Sequence, residues 1–268
     1  MRETALLAFI GGGNMASAIL GGLRRSGMPA EAFLVVEPMP AQRERLASEF
    51  GIQAIEAVDA SVTRADLVVW AVKPQLFAEA SAPCAGQLGG ALHLSVMAGI
   101  RSDALVKASG SERVVRAMPN TPALIGRGVA GLFARAAVTE QDRTLIEQVM
   151  TPTGARVWVS RESDLDAVTA LSGSGPAYVF YFIEAMVQAG VEMGLDAAQA
   201  RQLAQDTFAG AAALAAQSTE PVEVLRDRVT SKGGTTYAAL TSMEASGMKA
   251  AFVQALHAAR DRAEELGR

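Results

Sequence analysis

An apolar run that breaks into a glycine turn opens this chain: Ala8-Phe9-Ile10 leads directly into Gly11-Gly12-Gly13-Asn14-Met15-Ala16. The spacing Gly11-x-Gly13-x-x-Ala16 after a strand constrains the fold more than any other segment. Gly11 permits the tight turn, Gly13 lets the backbone approach a pyrophosphate, and the small Ala16 lets the next helix pack on the sheet. The exposed amides at the N-terminus of that helix, which starts near Asn14, then bind the anion. An amphipathic segment from Ala16 to Ser26 follows, Gly27 and Pro29 stop it, and a second apolar run from Phe33 to Val36 ends at Glu37. That completes a βαβ unit.

Glu37 falls about 20 residues beyond the motif, where a carboxylate accepts hydrogen bonds from the ribose of NAD. Arg43 and Arg45 lie close enough downstream to hold the 2'-phosphate of NADP instead. Both coenzymes, NADH and NADPH, stay open on these residues.

Strand-like runs recur at Leu6 to Ile10, Phe33 to Val36, Leu67 to Val72, Leu92 to Val96, Val114 to Met118, Val129 to Phe133 and Arg156 to Val159, with helical segments between the early ones. The alternation predicts an α/β fold with a mostly parallel, doubly wound Rossmann sheet. Past Glu162 the strand signals stop and apolar residues recur at helical spacing. The expected division is therefore a dinucleotide-binding domain over 1–162 and an all-helical domain over 163–268, and 268 residues are enough for two.

Twenty-four Lys and Arg against 28 Asp and Glu give a net charge of −4 with no basic stripe, which argues against nucleic acid as a partner. No apolar run reaches the ~18 residues of a membrane span, and the N-terminus reads as a buried strand, not a cleavable signal. A cytoplasmic location is expected. The single cysteine, Cys84, has no partner for a disulfide and no metal-ligand spacing, so no metal site is expected.

Four further segments bear on chemistry. Ala71-Val72-Lys73-Pro74 ends a strand at the carboxyl edge, where ligands bind in open α/β sheets, although a lysine there can also simply reach to water. Pro119-Asn120-Thr121-Pro122 fixes an amide and a hydroxyl at the same edge. Leu171 to Tyr178 contains Gly173-Ser174-Gly175-Pro176, the start of a long helix with Ser174 or Gly175 as cap, and Tyr178, Phe180, Tyr181 and Phe182 then supply core or a subunit interface. Finally, Val229-Thr230-Ser231-Lys232-Gly233-Gly234-Thr235-Thr236 places a glycine loop and hydroxyls at a helix start, which suits a carboxylate. Both histidines, His93 and His257, stand apart from these motifs, so a histidine base is not expected. A hydride acceptor that is already polarised, such as a protonated imine, needs mostly positioning.

Taken in order, Phe-Ile-Gly-x-Gly-Asn-Met-Ala at 9–16, Ala-Val-Lys-Pro at 71–74, Arg-Ala-Met-Pro-Asn-Thr-Pro at 116–122, Leu-Ser-Gly-Ser-Gly-Pro-Ala-Tyr at 171–178 and Val-Thr-Ser-x-Gly-Gly-Thr-Thr at 229–236 closely resemble the pyrroline-5-carboxylate reductases. The resemblance covers nearly the whole chain. It implies a Rossmann domain followed by a helical dimerisation domain, a homodimer or larger homo-oligomer, and NADPH or NADH as hydride donor to 1-pyrroline-5-carboxylate, giving L-proline. By position it assigns Gly11, Gly13, Asn14 and Met15 to the pyrophosphate, Ala71, Lys73 and Pro74 to the ribose side, and Asn120 to the nicotinamide end. It assigns Gly233, Gly234, Thr235 and Thr236 to the substrate carboxylate, with Thr236 best placed for the ring nitrogen and Ser231 in the same loop. Lys232 stands where the family usually has proline, and the Asn often set against the adenosine ribose has no counterpart near Val58 to Asp59.

Two rivals share the architecture. A reductase of the 3-hydroxyacid dehydrogenase kind would carry a lysine early in the second domain, and residues 172–200 contain none. A non-catalytic nucleotide sensor would have no need of the hydroxyl-rich loop.

Overall fold

The computed structural model describes residues 5–267; residues 1–4 and 268 lie outside them. The chain through Ser174, together with its end from Ala259, forms one compact unit, and Gly175–Ala258 forms a second.

The first unit is built on a seven-stranded sheet in the order β2-β1-β3-β4-β5-β6-β7. The strands are β1 (Leu7–Ile10), β2 (Phe33–Val36), β3 (Leu67–Trp70), β4 (Leu92–Ser95), β5 (Val114–Met118), β6 (Gly128–Ala134) and β7 (Gly154–Trp158). The first five run parallel, β6 turns antiparallel to β5, and β7 is parallel to β6. Its helices are α1 (Asn14–Arg25), α2 (Pro40–Phe50), α3 (Phe77–Ser81), α4 (Ser102–Ser109), α5 (Glu140–Met150) and α6 (Asp164–Val168). The doubly wound, mostly parallel sheet expected from the sequence is present. The third strand ends at Trp70 where the pattern runs to Val72: the Ala71 amide still bonds to Ile10 O, but its carbonyl lies against the glycine turn.

Strand alternation feeds two cores. Leu7, Phe9, Leu67 and Val69 point to one face and pack with Ile19 and Leu20 of α1, Leu46 of α2 and Ile146 of α5. Ala8, Ile10, Val68 and Trp70 point to the other and meet Phe77 of α3 and Leu105 of α4. A sheet buried on both faces needs near-continuous apolar strands, which is what Leu7–Ile10 and Leu67–Trp70 supply. The region after β7 stays with this unit because Leu165 and Ala170 are buried and Val168 seats on β6, 2.7 Å from where a side chain on Gly131 would stand. A π-helical turn, Thr169–Gly173, follows α6.

The second unit is helical: α7 (Gly175–Glu192), α8 (Ala197–Gln217), α9 (Val222–Arg228), α10 (Thr235–Ala245) and the start of α11 (Met248–Leu266). Tyr178 and Phe182 of α7 both meet Phe252 of α11 edge to face. The neighbouring Phe180 and Tyr181 are 63 % and 68 % exposed, a surface too apolar for water alone.

Candidate active site

Because β1 connects outward to β2 and the chain then crosses back to β3, the topology switches between β1 and β3, and a crevice opens beyond their carboxyl ends. Both predicted cofactor segments end there. Gly11 adopts φ +97°, and a side chain on it would stand 2.8 Å from the Ala71 carbonyl oxygen and 2.9 Å from Val72 Cγ1. Only glycine satisfies both conditions. The Gly11 and Ala71 amides continue the sheet, donating to Val36 O and Ile10 O at 2.9 Å each. Gly13 is the opposite case: it has ordinary backbone angles, φ −68° and ψ −168°, and nothing stands within 4 Å of a side chain built on it. One glycine serves the turn, the other leaves open space for a ligand.

Gly13 is the N-cap of α1, with no side-chain capping bond. Among the described residues the amides of Gly13, Asn14 and Met15 have no protein acceptor. Three donors and the positive helix end face the open side of the turn, which suits a diphosphate. The residues present therefore fit a dinucleotide.

Glu37 sits where the sequence places it, at the end of β2, but its carboxylate turns inward. It is buried, and its two oxygens accept from the amides of Gly12 and Met39, each at 2.9 Å. Arg43 donates to the carbonyls of Glu37 and Pro38 at 2.9 and 2.7 Å, and Arg45 pairs with Glu49. Lys73 is exposed at the exit of β3, and Pro74 starts a short 3-10 turn there. Asn120 is a brace: its amide nitrogen donates to Ser172 O at 3.1 Å and its carbonyl oxygen accepts from the Val129 amide at 3.0 Å. It ties the Pro-Asn-Thr-Pro turn to the π-helical turn, a link that sequence separation hides.

In the second unit the glycine loop and hydroxyls meet at the start of α10. Gly233 is left-handed at φ +77°, and a side chain on Gly234 would strike Ser231 Oγ at 2.8 Å. Gly234 is the N-cap, again with no side-chain capping bond, so neither Thr235 nor Thr236 caps the helix. Nearby Thr230 and Thr241 spend their hydroxyls on helix carbonyls at 2.7 and 2.8 Å. Among the described residues Thr235 and Thr236 make no such bond, and the amides of Thr235, Thr236 and Tyr237 have no protein acceptor. By contrast α5 and α8 are closed by complete capping boxes at Thr139 and Asp196. Both helix starts that the sequence assigns to ligands are left open; α2 and α9 also lack a side-chain cap, but each begins at or just after a proline, Pro40 and Pro221.

His93 lies fully buried in β4, its pKa lowered to about 4, chiefly by burial, and Cys84 is a buried free thiol pushed up to about 11 for the same reason. Neither borders these loops. No group of three or more metal-ligating side chains exists among the described residues, and no described helix is long and apolar enough to cross a membrane.

A switch-point crevice with a glycine turn, joined to a helical unit, defines a two-unit, dinucleotide-binding oxidoreductase. Residues 162–266 match the family model for pyrroline-5-carboxylate reductase dimerisation, and residues 6–99 match that for NADP oxidoreductase, coenzyme F420-dependent. The pyrroline-5-carboxylate reductase of Pseudomonas aeruginosa is 44 % identical over 98 % of this chain and 97 % of its own. The solved pyrroline-5-carboxylate reductase of Coxiella burnetii superimposes with a TM-score of 0.92 at 35 % identity, over 99 % of this chain and all of that one. The Plasmodium falciparum pyrroline carboxylate reductase, solved with NADP bound, gives 0.88 at 28 % identity over the full length of both chains. The chain belongs to the pyrroline-5-carboxylate reductase family. Its exposed Phe180 and Tyr181 fall in the dimerisation region, in keeping with a homo-oligomer.

Proposed function

We propose that the protein reduces the cyclic imine of 1-pyrroline-5-carboxylate to L-proline at the expense of NADPH or NADH. The observation that carries this reading is kinship with the family along the whole chain, the hydroxyl-lined loop included. A reduced nicotinamide, when bound, supplies the hydride that reaches the imine carbon, and a proton on nitrogen completes the amine. Every other task belongs to the chain.

The amides of Gly13, Asn14 and Met15 hold the diphosphate, Gly11 and Ala71 shape the crevice, Lys73 and Pro74 border the ribose, and Glu37 and Asn120 position the loops around them. Residues 1–162 supply this nucleotide side and residues 163–268 the substrate side and the subunit contact. At α10 the amides beyond Gly233 and Gly234 hold the substrate carboxylate, with Thr235 and Ser231 beside it. The Thr236 hydroxyl holds the ring nitrogen, orienting the imine and keeping its proton in place. The smallest assembly is a homodimer.

Purified protein mixed with pyrroline-5-carboxylate and each reduced coenzyme in turn tests this. Loss of nicotinamide absorbance with formation of proline is expected; no consumption of either coenzyme rejects the assignment.

A further inference from the structure

The register that pairs Met118 of β5 with Gly131 of β6 sets Asn120 opposite Val129, just beyond the end of the ladder. There the side chain takes over from the backbone. Asn120 Oδ1 accepts the Val129 amide at 3.0 Å, and Nδ2 donates to Ser172 O at 3.1 Å. A planar carboxamide tied at both ends has a fixed orientation.

Ser172 lacks a helical donor. In a regular helix its carbonyl takes the amide four residues on, and residue 176 is proline, which has no N–H. The chain widens here into the π-helical turn Thr169–Gly173, and the Ser174 amide reaches back to Thr169 O at 2.8 Å. A second contact seats this turn on the sheet, since a side chain on Gly173 would stand 2.6 Å from Met118 Cε. Asn120 and Met118 therefore hold the π-helical turn at two points against the carboxyl end of β5.

That edge of the sheet faces one half of a bound dinucleotide. The diphosphate belongs at the mouth of α1, and the two halves of the ligand lie on opposite sides of the switch between β1 and β3. The adenosine half falls toward β2, so the nicotinamide half falls toward β4 and β5, where the Pro119–Pro122 turn and the π-helical turn stand. Turns of this wide kind occur frequently at functional sites.

Resting on the reductase reading above, we propose that Asn120 is a positioning residue of the nicotinamide subsite: it makes the π-helical turn a rigid wall, and that wall, not a bond from Asn120 to the coenzyme, places the ring. Its point of action is the Ser172 carbonyl.

Calorimetric titration with NADH and NADPH, each beside its fragment lacking nicotinamide, ADP-ribose or 2'-phospho-ADP-ribose, tests this without any imine. Asn120→Ala should weaken the whole coenzyme about fivefold or more and leave its fragment within about twofold. Turnover of pyrroline-5-carboxylate should fall about tenfold or more. Gly173→Ala pushes the wall off Met118 without touching the carboxamide, and should repeat the split between coenzyme and fragment. In Asn120→Ala/Pro176→Ala the new amide at 176 supplies Ser172 with a donor, so the melting temperature should recover while the weak grip on the coenzyme persists. Equal weakening of coenzyme and fragment overturns the proposal, as does native coenzyme binding by Asn120→Ala or by Gly173→Ala. So does coenzyme affinity that returns with stability in the double variant. The same split between coenzyme and fragment in a protein inactive on pyrroline-5-carboxylate would uphold the role of Asn120 and reject the reductase reading instead.

Discussion

Trp70 donates its indole N–H to Nδ1 of His93 at 3.1 Å across adjacent strands, which leaves the proton of the neutral imidazole on Nε2, donated to Leu88 O at 3.1 Å. The pair is fully buried and the rings stack at 24°. A second proton on this ring would remove the acceptor of Trp70 and place a charge in the core. Burial, reinforced by Arg113 and opposed by the Leu88 carbonyl, holds the histidine neutral, with its pKa lowered from 6.5 to about 4.

Acid stability follows from that shift. Between pH 6.5 and 4 the unfolded chain takes up a proton that the folded chain refuses, so stability is full above this window and falls as pH drops through it. The interval corresponds to about 3 kcal/mol. Urea melts at stepped pH should show the decline, and His93→Gln, which can still accept from Trp70, should flatten it.

The glycines of the turn should separate by substitution. Gly11→Ala forces a side chain onto φ +97° and against the Ala71 carbonyl, and is expected to destabilise by about 2 kcal/mol or more. Gly13→Ala should leave stability within about 0.5 kcal/mol and weaken only the nucleotide. Thermal melts combined with coenzyme titration check both; equal losses of stability would contradict the division of labour.

Thr236→Ala removes a hydroxyl that makes no hydrogen bond within the described residues, so stability should change by less than about 0.5 kcal/mol. Turnover should fall about tenfold or more if that hydroxyl holds the ring nitrogen, with coenzyme affinity unaltered. Steady-state kinetics against a melting curve decide the matter.

Glu162, half-buried, is the ion-pair partner of the buried Arg116. It accepts from Arg116 Nη1 at 2.8 Å and from the amide and hydroxyl of Ser102 at 2.6 and 2.7 Å, while Arg116 Nε has no partner. Burial works against the carboxylate, yet Ser102 and Arg116 together hold its pKa below 4.5. Its contribution is present above pH 4.5 and is lost as pH falls through the lowered value, beneath most of the histidine window. Glu162→Ala leaves the Arg116 charge unpaired in the interior and should cost about 3 kcal/mol or more by equilibrium unfolding.

Much of this architecture was legible in the residues. Leu7–Ile10 and Leu67–Trp70 are apolar without interruption because both sheet faces are covered, and Gly11 announced the turn because no other residue takes its angles. The α10 loop was equally plain from its glycines. The inward turn of Glu37 was not, since it depends on Gln42 and Leu46 packing from α2 onto the same loop. Asn120 as a brace to Ser172 was hidden for a similar reason, with 52 residues between the partners. The π-helical turn at Thr169–Gly173 carries no periodic signature of its own. Long-range side-chain to backbone bonds leave no mark on local pattern.

The bare starts of α1 and α10 have one more consequence. Glycine at an N-cap gives up only a few tenths of a kcal/mol relative to a hydroxyl or carboxamide cap. Keeping a helix mouth available to an outside anion thus hardly competes with folding, and a stabilising Ser or Asp placed at Gly13 or Gly234 would gain little while plugging the mouth with its own oxygen.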